Sequence, residues 1–183
     1  MSTDRWLAIL NSEFGGASDR ACAIVSAALV DELLMNVLKA MFVPTPASED
    51  SLFDGPNAPL SNLSSRIDIA FRLGLISPRL ARDLHLIRRI RNSFAHELEG
   101  CSFQASGIAN QIAELVRSMD FKTRLPSLLD PPYDGPKGNF AMCVTWVLVH
   151  LEDVLKTNVK PIQPAELDVL YTCKISDSTR GAG

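Results

Sequence analysis

From Ser18 to Val43 the chain reads as one long helix, and no other segment limits the fold as strongly. Apolar residues recur at Ile24, Val25, Ala28, Leu29, Leu33, Leu34, Val37, Leu38 and Met41, the three-to-four-residue spacing of a helix. The stripe is wide, so this helix needs apolar partners on more than one side. Ser18 and Asp19 offer a cap at its start. Pro44 and Pro46 stop it, because proline lacks the N–H that the next helical bond requires. A chain built around such a segment is expected to be a helical bundle.

The other segments agree. Residues 3–13 predict a short amphipathic helix with Trp6, Leu7 and Leu10. Residues 44–60, rich in Pro, Ser, Asp and Gly, predict a long loop of the kind that often carries function. Ser61 or Asn62 caps a helix over about 62–75, and Gly74 with Ser77-Pro78 marks a turn. A helix then runs over about 78–98 and is closed by Gly100. Residues 103–119 carry Ile108, Ile112, Leu115, Val116 and Met119 at helical spacing, and a Pro/Gly-rich loop covers 125–138. The last strong helix, about 139–158, is nearly apolar all round at Val144, Trp146, Val147, Leu148 and Leu151. That marks either the centre of a bundle or a dimer interface. One weak strand signal falls at 167–173. The expectation is an all-α, single-domain bundle of five to six helices over 1–160, followed by a partly disordered tail at 161–183.

Composition bounds the function. A chain of 183 residues buries roughly 70% of its unfolded surface and needs no covalent staple. The net charge of −3 and a pI of about 5.6 argue against a basic nucleic-acid-binding domain. Cys22, Cys101, Cys143 and Cys173 lack metal-site spacing and read as reduced thiols of a cytoplasmic protein. No metal or cofactor is expected. The first residues, Met-Ser-Thr-Asp-Arg-Trp, have neither the basic nor the apolar region of a signal peptide. The run Phe140–Leu151 falls short of the roughly 20 apolar residues a bilayer span needs.

Residues 85–97, His-Leu-Ile-Arg-Arg-Ile-Arg-Asn-Ser-Phe-Ala-His-Glu, hold the densest chemistry. Leu84, Ile87, Phe94 and Leu98 form the apolar stripe, and Arg91 falls in line with it. Asn92 and His96 lie to one side, four residues apart and on a shared face. Arginine is a fixed cation with several donors, and histidine changes charge near neutral pH. Arg88, Arg91, Asn92 and His96, together with Arg66 and Asp68 on the preceding helix, are therefore candidate ligand- or partner-binding residues. Their alternative role is a structural network in which Arg91 pairs with Asp31, Glu32 or Asp68. In that network Asn92 and His96 hydrogen-bond the backbone of 52–62. Arg66 would hold the 55–62 loop or an anion. Of the other histidines, His85 is expected on the solvent side and His150 in the core or an interface. Arg82, Arg88, Arg89 and Arg91 form the most basic patch, read first as a solvated face and second as a phosphate contact.

Two segments carry a resemblance. Residues 55–76, Gly-Pro-Asn-Ala-Pro-Leu-Ser-Asn-Leu-Ser-Ser-Arg-Ile-Asp-Ile-Ala-Phe-Arg-Leu-Gly-Leu-Ile, precede residues 83–96, Asp-Leu-His-Leu-Ile-Arg-Arg-Ile-Arg-Asn-Ser-Phe-Ala-His. The long helix with Arg20, Ala21 and Asp31-Glu32-Leu33-Leu34 lies ahead of both. In this order they resemble the mannitol operon repressor (MltR-like) family over about residues 8–120. The resemblance implies an all-helical transcriptional regulator that works through a protein partner or self-association. It supplies no DNA-reading element, and direct DNA binding is not expected.

More distantly, Arg91 and His96 resemble the Arg-x4-6-His motif of HEPN domains, some of which cleave RNA without metal across a dimer interface. Under that alternative His96 is the general acid or base and Arg91 stabilises charge developing on the phosphate. Five residues on a straight helix place the two about 140° apart. A shared site therefore needs the helix to end near Ala95 or a second subunit to contribute.

Overall fold

Ser18 Oγ accepts the Ala21 N–H at 3.2 Å and opens α1, Asp19–Met41. In the computed structural model, which describes Ala8 and residues 16–97, 100–120 and 135–163, this helix is the axis of an all-α unit. It touches α2 (Leu63–Arg72), α3 (Pro78–His96) and α5 (Gly135–Asp153), and also the π-helical turn Val154–Asn158 that extends α5. The fourth helix, α4 (Ser106–Met119), packs on α3 and α5. No strand occurs among the described residues. The expected helix at 3–13, the strand signal at 167–173 and the disordered tail fall, apart from Ala8 and residues 161–163, outside them.

The wide stripe of α1 is satisfied on several sides at once. Cys22, Ala23, Val30, Leu34, Val37 and Leu38 are fully buried, and each such leucine contributes roughly 2 kcal/mol by leaving water. By length and composition α1 would also suit a bilayer. Here its apolar length is spent on neighbouring helices. The nearly apolar α5 resolves the same way. Phe140, Cys143, Val144, Val147 and Leu151 are buried against α1 and α4, so it is a central helix of this unit.

The turns follow their residues. Asn62 Oδ1 accepts the Ser65 N–H at 3.0 Å and caps α2. At its far end Gly74 adopts φ +72°, a conformation glycine reaches without steric cost. The Leu75 N–H can then return to the Ala70 carbonyl at 3.0 Å. Ser77 caps α3, with Pro78 in its first turn.

Helix ends differ from expectation by up to four residues, and three places show why. The first is the start of α4, at Ser106 instead of 103. Phe103 is drawn into the core and its N–H donates to Asp19 Oδ2 at 3.0 Å. Its ring lies 4.9 Å from Phe94 and 5.1 Å from Phe140. The second is α5, which begins at Gly135, so the expected 125–138 loop is helical in its last four residues. There Lys137 Nζ donates to the Ala17 carbonyl at 2.9 Å and lies 3.7 Å from Asp19. The third is the end of the last helix, which reaches Asn158 as expected but with its final five residues, Val154–Asn158, wound as a π turn. Beyond it the Ile162 N–H reaches the Met41 carbonyl at 2.8 Å.

Candidate functional site: a cleft between three helices

Small residues on α1 leave space that its neighbours do not fill. Ala27 and Ala28, beside Ile24 and Asp31, form one wall of a cleft of about 510 Å³. Ser61, Asn62, Leu63 and Ser64, at the start of α2, form the second. Arg88, Arg91 and Asn92 on α3 form the third. Three of the predicted site residues therefore border one cavity, and three do not.

Arg66 stands behind this cleft as a brace. It is buried, and its Nη1 donates to Asp31 Oδ1 at 2.7 Å while its Nε donates to the Leu60 carbonyl at 2.8 Å. It therefore holds the loop, one of its two expected roles. It also takes Asp31, one of the three carboxylates expected as partners for Arg91. Asp68 is exposed and lies 3.1 Å from His85 Nε2. His85 is half-buried and so engaged, where an exposed histidine was expected.

On α3 the expected set divides. Leu84, Ile87, Ile90 and Phe94 are fully buried. Arg91, although its position continues the stripe, is exposed, and its Nη1 donates to Asn92 Oδ1 at 3.0 Å. Ile90 takes the inward position in its place. Arg88 is half-buried, and its Nε–H has no hydrogen-bond partner among the described residues. His96 is the last residue of α3, exposed and outside the cleft lining. The helix stays regular through His96, so Arg91 and His96 are not brought to one site within this chain. Of the arginine patch, Arg82 is exposed and ion-paired to Glu114 on α4, and Arg89 and Arg91 are exposed on α3.

Sequence reasoning missed the cleft's other walls. Ser61 looks like an ordinary capping residue and Ser64 like any first-turn serine, and an alanine pair in a long helix signals nothing by itself. A close approach of α1 and α2 turns both into lining.

A second polar cluster lies where α3 meets α4 and α5. Asp83 is buried, and burial raises its carboxyl pKa despite a 3.0 Å hydrogen bond from Ser118 Oγ and the nearby Arg82 and Arg79. His150, expected in the core or an interface, is exposed at the rim of a small pocket of about 100 Å³ that Asp83 and Trp146 also border. Among the described residues no cluster of His, Cys, Asp and Glu suits a metal ion.

No family model and no curated protein matches the chain in sequence. In structure it is similar to a chain of the MtlR–HPr complex from Escherichia coli, solved by X-ray. The TM-score is 0.60 at 20% identity, with 81% of this chain and 97% of that chain covered. The fold is therefore MtlR-like.

Proposed function

We propose that this chain is a helical regulator of the mannitol operon repressor type, which acts by binding a partner protein and does not read DNA itself. One observation carries the reading: the fold it shares is that of a chain solved in the MtlR–HPr complex, an assembly of two proteins. The paired motifs at 55–76 and 83–96 point to the same family. The charge supports it too. At a net charge of −3, with Arg82 ion-paired to Glu114 and Arg66 to Asp31, the charge balance disfavours phosphate-backbone binding, which draws on a basic face. Scattered cysteines without metal spacing suit a cytoplasmic setting.

Calorimetric titration of the purified chain with HPr from Escherichia coli tests the partner, and saturable heat is the expected result. A gel shift at physiological salt tests the other half. Saturable, sequence-specific retardation of DNA by the chain alone would overturn the proposal.

A further inference from the structure

We infer that the cleft between α1, α2 and α3 is a binding site for a small oxyanion-bearing molecule, held by Arg88 and Arg91. The inference is independent of the partner reading.

Charge is the first ground. Asp31 is the only carboxylate bordering the cleft among the described residues, and its Oδ1 is already engaged by buried Arg66 at 2.7 Å. Arg88 and Arg91 thus face the cavity without a carboxylate of their own. They stand three residues apart on α3, the spacing that places side chains as neighbours on one helix face. Two guanidinium groups so placed suit a phosphate or carboxylate, whose oxygens match their planar donor sets.

The second ground is the lining. Arg91 occupies the acceptor oxygen of Asn92, which leaves the Asn92 amide N–H groups to donate to an anion. Ser61 and Ser64 add hydroxyls on the opposite wall. The start of α2 has no acidic residue in its first turn, so its partial positive charge is not offset locally. A volume of about 510 Å³ is in the range of small-molecule sites and exceeds a bare phosphate ion. The ligand class is therefore an anionic headgroup on a polar body that can hydrogen-bond the serines.

Isothermal titration of the full chain with inorganic phosphate, and separately with malonate, at constant ionic strength in chloride, tests the site. Saturable binding of at least one anion is expected, and the ratio of the two affinities assigns the headgroup as phosphate or carboxylate. Arg91→Ala, at an exposed position, and Arg88→Met, which keeps most of the packing stem, should each weaken binding about tenfold or more, the worth of one charge-assisted hydrogen bond. Thermal melts of both variants confirm that the fold is intact; should Arg88→Met not fold, Arg91→Ala decides alone. Heat that stays unsaturated for both anions, or wild-type affinity in Arg91→Ala, overturns the assignment.

Discussion

Arg66 locks α2 onto α1 through Asp31: the guanidinium donates at 2.7 Å to a carboxylate 35 residues earlier in the chain. The same side chain holds the Leu60 carbonyl at 2.8 Å, so one residue ties the long 44–60 connection to two helices. Removing it leaves a carbonyl and a half-buried carboxylate without their donor. Arg66→Ala is expected to lower stability by about 2–3 kcal/mol, since a charge-assisted bond is lost and polar groups are stranded. Asp31 is partly exposed, so Asp31→Asn should lose less. Urea midpoints at constant slope decide the ordering.

Asp83 gives the fold a pH dependence of definite sign. Burial raises its pKa above the ordinary 3.8. Between 3.8 and that raised value the folded chain keeps a proton that the unfolded chain releases. Stability from this group is therefore complete below the unfolded value and is lost as pH rises through the folded one. Subtracting the pH profile of Asp83→Asn from that of wild type should leave a stability difference that falls across this window and then levels off. A flat difference would mean that Asp83 titrates as in water.

Cys143 is fully buried on α5, and burial pushes its thiol up to about 12. The thiolate is the reactive form. Peptide mapping after treatment of the native chain with a maleimide at pH 8 should find Cys143 unmodified. The same reagent in denaturant should label it fully.

Phe103 joins parts of the chain far apart in sequence. Its ring packs between Phe94 and Phe140, and its N–H is held by Asp19. Phe103→Ala should cost about 3–5 kcal/mol by creating a cavity among fully buried rings. The exposed Arg82–Glu114 pair makes the contrast: Arg82→Ala should change stability by less than about 1 kcal/mol. Thermal melts of the two variants side by side test both.

Periodicity, capping residues and prolines were enough to read most helices, because each of those signals acts within a few residues of the element it shapes. Ser18, Asn62 and Ser77 cap helices, and the α1 and α3 stripes are buried, all by local rules. The α4 start departs from its local signal because Phe103 answers to Asp19 and to two distant rings, contacts with no local trace. The α5 start departs likewise where Lys137 ties the first turn to Ala17 and Asp19.

The chemistry of the Arg91, Asn92 and His96 trio was decided by tertiary placement. Sequence spacing showed that Arg91 and His96 diverge on a straight helix, and it left open whether the helix bends. The helix is regular to its last residue, so His96 stays outside the cleft. Which carboxylate meets which arginine was equally beyond local reading. Asp31, Glu32 and Asp68 were all within sequence reason for Arg91. The crossing of α1 and α2 gave Asp31 to Arg66 instead, because a charge pair forms where packing brings the two groups together. Helix identity in this protein is thus a property of neighbouring residues, whereas the cleft exists only because three separate segments meet over two small alanines.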